Sequence, residues 1–122
     1  MLAFVRTPKN QDPTHFHCVR CGTLIADSNS LVSLNGSAEH AFVNPAGIRC
    51  VFKTFQQCEH VLADPTLHPE HSWFVGYGWR ILVCRVCYAH LGWQYDALEG
   101  AATLPGFFGL LSHAVRSEPP VG

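Results

Sequence analysis

The chain has 122 residues, 48% of them hydrophobic and 14% charged, with eight Lys or Arg against nine Asp or Glu. That is the size and composition of one folded domain, and a formal net charge of −1 excludes the broad basic footprint of sequence-independent nucleic-acid binding. No apolar run approaches the ~18 residues of a membrane span. The start Met1-Leu2-Ala3-Phe4-Val5-Arg6-Thr7-Pro8 has neither the basic n-region nor the full h-region of a secretory signal, so a cytoplasmic protein is expected.

Residues 1–17 are polar and broken by Pro8 and Pro13, and read as a loosely attached arm. From Cys18 onward short apolar segments alternate with turn residues. Thr23-Leu24-Ile25-Ala26 and Leu31-Val32-Ser33-Leu34 flank Asp27-Ser28-Asn29-Ser30, and Asn35-Gly36 is a strong hairpin signal. His40-Ala41-Phe42-Val43 ends at the turn Asn44-Pro45-Ala46-Gly47, and residues 48–55 follow as a β-rich run. Residues 58–71, with Pro65, Pro69 and three histidines, read as a long connecting loop. Strand-like residues return at 79–83 and 91–95, and only the stretch from Gly109 to Val115 suggests a helical turn or two. The expectation is a mostly-β domain of short strands.

Six cysteines and eight histidines stand out. Four of the six cysteines form two Cys-x-x-Cys pairs, Cys18-Val19-Arg20-Cys21 and Cys84-Arg85-Val86-Cys87. Three disulfides are the alternative, but without a secretory signal the pairs favour metal. Two thiolates separated by two residues span adjacent corners of a tetrahedron, so the two pairs describe one closed structural Zn²⁺ site. His17 or His90 in place of one cysteine is the other allowed ligand set. Since 62 residues lie between Cys21 and Cys84, the metal would pin together the two ends of the domain. Arg20 and Arg85 stand where they offset part of the negative charge of a tetrathiolate. Cys50 and Cys58 read as small buried hydrophobes.

All three tryptophans, Trp73, Trp79 and Trp93, fall within 21 residues. Gly76 and Gly78 give the backbone room to bend, so Trp73 and Trp79 face each other, and Trp93 arrives from the next strand. Three large rings can fill a small core, or form a box for a cation or a compact apolar ring. Composition does not choose between these.

The segment from His71 to Tyr95, with His-Ser-Trp-Phe-x-Gly-Tyr-x-Trp, then Cys-x-x-Cys, then His-x-Gly-Trp, closely resembles the thalidomide-binding (CULT) domain family of cereblon. The resemblance extends upstream through Asn44-Pro45 to Cys18 and downstream through Phe107-Phe108-Gly109-Leu110, covering residues 15–117. It leaves 1–14 as a flexible arm and 118–122 as a tail. It implies a β-tent, two antiparallel sheets fastened by zinc, with a pocket walled by Trp73, Trp79 and Trp93 and closed at the base by Tyr95. The backbone at His71 and Trp73 would hydrogen-bond an imide edge, with Ser72 between them and Asn44 and Pro45 beside the mouth. The implied ligands are thalidomide-type glutarimides, uridine-like cyclic imides and protein C-termini cyclised to an imide. A short segment ahead of Cys18 implies a stand-alone member with no ubiquitin-ligase adaptor region. Ala46, where the animal mouth loop carries a histidine, argues against recruitment of further protein substrates.

The leading expectation is therefore a non-enzymatic binding module. Two rivals stand beside it. A methionine sulfoxide reductase B-like zinc enzyme would need a nucleophilic cysteine near the pocket, and Cys50 and Cys58 lie outside the aromatic stretch. A methyl-lysine-type cation reader would need a carboxylate in the wall, and the nearest in sequence are Glu70 and Asp96.

Overall fold

The computed structural model describes residues 4–6, 11–99 and 105–118. Apart from one 3-10 turn at Ser28–Ser30, its regular structure consists of strands. In chain order these are β1 (Phe4–Arg6), β2 (His15–Cys18), β3 (Leu24–Asp27), β4 (Val32–Leu34), β5 (Glu39–Val43), β6 (Arg49–Phe55), β7 (Val61–Ala63), β8 (Tyr77–Cys84), β9 (His90–Ala97), β10 (Phe107–Leu111) and β11 (Val115–Glu118). Two antiparallel sheets carry the fold, as the β-tent expectation requires. The larger runs β5-β6-β10-β9-β8-β7 and the smaller β11-β2-β3, with a separate β1-β4 ribbon.

Four local readings change against the sequence. The arm is strand-paired at Phe4–Arg6, in register with Val32–Leu34, and Phe16 on β2 is buried. Residues 1–3, 7–10 and 119–122, the rest of the expected arm and tail, lie outside the described residues. The region 58–71 is not one loop. Val61–Ala63 pair with Cys84, Val83 and Leu82, and His68 and Trp79 exchange two backbone hydrogen bonds of 2.9 Å. A three-residue edge strand before Asp64-Pro65 is too short to show periodicity. The helical turn expected over Gly109 to Val115 is absent, because β10 is a central strand whose backbone pairs with β6 on one side and β9 on the other. Finally, Asn35-Gly36 does make a tight turn, with φ of 53° and 89° and reciprocal Leu34–Ser37 hydrogen bonds. Its flanks then diverge, β4 to β1 and β5 to β6.

The chain crosses from the large sheet to the small one at Ser112–Ala114, where the Ala114 amide donates to Leu111 O and the Val19 amide to Ala114 O, both at 3.0 Å. Two buried clusters result. An aliphatic one, with Ile25, Leu82, Leu91 and Leu110, lies with Cys18 and Cys84. An aromatic one, with Phe52, Phe74, Tyr77, Tyr95 and Phe107, lies with Val32, Leu34 and Cys50. The second supports the tryptophans.

Candidate functional site

Cys18 ends β2 and Cys84 ends β8, so each Cys-x-x-Cys turn caps a strand of a different sheet. Reciprocal patterns shape them: Gly22 N donates to Cys18 O and Tyr88 N to Cys84 O, each 2.8 Å, with Gly22 and Tyr88 at positive φ. The four sulfurs converge within 4.8 Å of one another. Cys18 Sγ lies 3.6 Å from Cys87 Sγ, and Cys21 Sγ 3.6 Å from Cys84 Sγ. A tetrahedral ion with Zn–S bonds of about 2.3 Å places its sulfurs about 3.8 Å apart, so the cluster fits zinc. The alternative histidines point elsewhere: His17 Nδ1 meets Gly22 O at 3.1 Å, and His90 Nε2 meets Gly92 O at 2.9 Å. Bonding to Thr23 lowers the Cys21 thiol to about 6. At Cys87 the Ala89 amide pulls down while burial and the neighbouring sulfurs push up, to about 11. One thiolate forms readily and the next resists, the charge problem a bound divalent cation removes.

The tryptophans line a cavity of about 390 Å³ at the other end of the large sheet. Trp73 and Trp93 meet edge to face, ring centroids 5.3 Å apart at 89°. Behind them Phe52 stacks on Trp73 at 5.6 Å and 20° and meets the edge of Trp93. Phe42, from β5, adds a second stacked ring on Trp73 at 5.2 Å. Trp79, on β8, also lines the cavity. Tyr95 reaches the cavity from β9 but is 1% exposed, packed on Phe74 and Phe107. Burial, then the nearby Cys50, pushes its phenol up, so the group it brings to the cavity is uncharged.

Loops supply the mouth. Asn44 and Pro45 line it, and the Asn44 side-chain oxygen accepts from the Ala46 and Ile48 amides at 3.0 and 2.9 Å, which fixes the β5–β6 turn. His71 lines it as well, with φ of 59°. A left-handed non-glycine residue is strained and persists where its surroundings over-determine it. Among the described residues neither the His71 carbonyl nor the Trp73 amide has a hydrogen-bond partner. Ser72 does not line the cavity: its hydroxyl donates to Phe74 O and accepts from Phe74 N, closing the turn. Gly76 bends the chain at φ 87°. Gly78 instead sits inside β8, where a Cβ would meet Leu67 Cδ1 at 2.8 Å and His68 O at 3.0 Å.

Two further residues line the cavity: His68, absent from the residues expected there, and Glu70, expected only as a nearby carboxylate for a cation reader. His68 stacks on Trp79 at 4.3 Å and 22°, its Nδ1 lies 3.0 Å from Glu70 Oε1, and Trp79 Nε1 donates to Glu70 O at 2.8 Å. Glu70 therefore stands in the wall, whereas Asp96 is taken up by Arg80 Nε at 2.6 Å. The Pro-Glu-His run beside the first Trp was the available signal.

Cys50 packs beneath the cage in the aromatic cluster and Cys58 against the aliphatic one. Burial raises both thiols. No helix among the described residues is long and apolar enough to cross a membrane.

Residues 14–118 match the family model described as Yippee zinc-binding/DNA-binding/Mis18, centromere assembly. The chain is 32% identical over 111 residues to protein cereblon of Danio rerio, covering 89% of this chain and 26% of that protein. It is 30% identical over 111 residues to protein cereblon of Drosophila willistoni, covering 87% and 18%. It thus spans about a quarter or less of the length of these relatives. The crystal structure of the Mis18 Yippee-like domain superposes with a TM-score of 0.59 at 13% identity, over 90% of this chain and 99% of that one, a likeness of fold.

Proposed function

This chain belongs to the Yippee zinc-binding/Mis18 family, and from that premise we propose that it is a non-enzymatic binding module whose tryptophan cage takes cyclic imides. The observation that carries the reading is the pairing of an aromatic box with two backbone groups, the His71 carbonyl and the Trp73 amide, that have no partner among the described residues. An imide edge presents acceptor, donor and acceptor in a row, with an apolar ring behind. The ring suits Trp73, Trp79 and Trp93, the imide N–H suits the His71 carbonyl, and one imide oxygen suits the Trp73 amide. Asn44 and Pro45 bound the mouth. Glutarimides of the thalidomide type, uridine-like rings and C-terminal cyclic imides of proteins all carry this edge.

One zinc per chain, held by Cys18, Cys21, Cys84 and Cys87, holds the sheets together and leaves no open coordination position. Reductase chemistry needs a thiolate at the cavity. Burial keeps Cys50 and Cys58 protonated instead, and methionine sulfoxide with dithiothreitol should give no turnover.

The test is a pair of titrations, thalidomide against its imide N-methyl derivative, followed by tryptophan fluorescence. Methylation removes the donor and leaves a buried acceptor unpaired at about 1–3 kcal/mol, roughly 5- to 150-fold in affinity. Comparable affinities would sink the assignment of His71 and Trp73. A second reading, a cation reader, is favoured by one observation, the Glu70 carboxylate in the wall. It requires a trimethyl-lysine peptide to displace thalidomide, in a salt-dependent way.

A further inference from the structure

Reading the imide edge uses the His71–Trp73 backbone and leaves His68 and Glu70 without a task. We propose that Glu70, set by His68 and Trp79, is a charge-reading subsite at the rim, selecting cyclic imides that carry an ammonium group on the ring carbon next to an imide carbonyl. The inference rests on the cage reading and deepens it.

Glu70 is braced. Its segment is tied to β8 by the paired His68–Trp79 backbone bonds, and its own carbonyl accepts the Trp79 indole N–H. Arg80, held by Asp96, donates through Nη1 to Pro65 O at the start of the same segment. The indole that forms a wall of the cage thus also positions the carboxylate. His68 occupies Glu70 Oε1 at 3.0 Å, while the Glu70 side chain stays 53% exposed and so open to a ligand cation. Its own backbone amide, then His68, holds the carboxyl below the usual range, so the rim carries an anion at neutral pH.

Among the described residues no Lys or Arg lines this cavity, and Glu70 is the one carboxylate that does. A ring seated on the three tryptophans with its imide edge toward His71 and Trp73 leaves its remaining substituent no exit but the mouth, where Glu70 stands with Asn44 and Pro45. An ammonium there meets a carboxylate and the face of Trp79. An acylated nitrogen is a neutral donor, and a carboxylate is repelled. The chemical class selected is the imide of a single amino acid with its amino group free, in preference to the same ring at the end of a peptide.

Three probes test this: glutarimide, 3-aminoglutarimide below the pKa of its amine, and N-acetyl-3-aminoglutarimide, each titrated into the parent and Glu70→Gln. Glutamine keeps an acceptor for His68, and the bond to Trp79 comes from backbone, so the fold is retained. The variant should lose about three- to fivefold in affinity for 3-aminoglutarimide, the upper range of a partly exposed charge pair. Glutarimide and the acetyl compound should stay within about twofold, with high salt shrinking only the amino effect. Equal losses for all three probes, or none, would overturn the subsite while leaving the cage intact. Failure of glutarimide itself to bind the parent would overturn the cage reading, and the subsite with it.

Discussion

Strands β8 and β9 each feed two unlike cores. At one end of β8 and β9, Leu82, Leu91 and Cys84 enter an aliphatic cluster closed by four sulfurs. At the other end, Tyr77 and Tyr95 enter an aromatic cluster that stays open as a 390 Å³ cavity. Aliphatic chains interdigitate and leave no faces. Rings packed edge to face, as Phe74 is against Tyr95 and Phe107, hold one another rigid while keeping flat surfaces available. The lesson is a division of labour within one sheet: the metal end supplies the constraint, and the aromatic end can then stay partly unfilled without collapsing.

The division breaks most completely at the metal. Cys84→Ser should abolish stoichiometric zinc and with it the cooperative thermal transition, because structural zinc contributes about 10–16 kcal/mol of apparent binding energy in finger peptides. Metal analysis and calorimetry on the same sample check this. Unchanged melting with metal gone would mean that the aliphatic core alone joins the sheets. Next comes Gly92, paired with both Leu82 and Leu110 near the border of the two cores. A Cβ there would stand 1.9 Å from Gly109 O, backbone that cannot swing away. Gly92→Ala should therefore cost about 3 kcal/mol or more of stability, read as a lowered denaturation midpoint. It would weaken both ends together, which a change in either core alone does not.

Much of this was legible in the sequence and some was not. The Cys-x-x-Cys pairs and the three tryptophans announce themselves because metal geometry and ring size tolerate few substitutes. Val61–Ala63 and His68 were hidden because their strand character comes from pairing with β8, whose partner residues lie between 11 and 23 positions further along the chain. Glu70 was visible as a carboxylate, yet its place in the wall depends on that same pairing. Phe107–Leu111 misled for the opposite reason: Gly109 looks like a break, but it is small because Phe52 and Tyr95 pass within 2.9 and 3.3 Å of where its Cβ would be.

A finer cut separates the tryptophans. Trp73 is held by Phe42, Phe52 and Trp93, whereas Trp79 has one ring partner among the described residues, His68. Both alanine variants should lose about 2 kcal/mol or more of imide affinity, the size of an interface anchor. Trp73→Ala should also lower the melting temperature clearly, and Trp79→Ala much less. Equal destabilisation would mean that both walls belong to the core, and the distinction between support and recognition would fail.

The smallest effect sharpens the comparison from the acid side. His40 is 9% exposed in the aromatic core, stacked on Phe52 at 5.3 Å and edge-on to Phe74 at 5.3 Å. Thr54 Oγ1 donates to Val32 O at 2.8 Å, which leaves it accepting from His40 Nε2 at 3.3 Å. Burial lowers the His40 pKa from 6.5, against the raising influence of Ser37 backbone and Glu39. With the folded value below the unfolded one, the unfolded chain binds the extra proton first. This contribution to stability is present above 6.5 and is lost as pH falls through the folded value. His40→Gln keeps a donor for Thr54 and does not titrate. Melting curves of parent and variant should therefore run parallel above 6.5 and converge below it, with the parent losing more. Loss of zinc from the shared cysteines also follows acid, but it acts on both proteins and cancels in the difference. If the two curves stay parallel throughout, His40 carries no proton-linked stability, and the acid sensitivity of the domain belongs to the metal end alone.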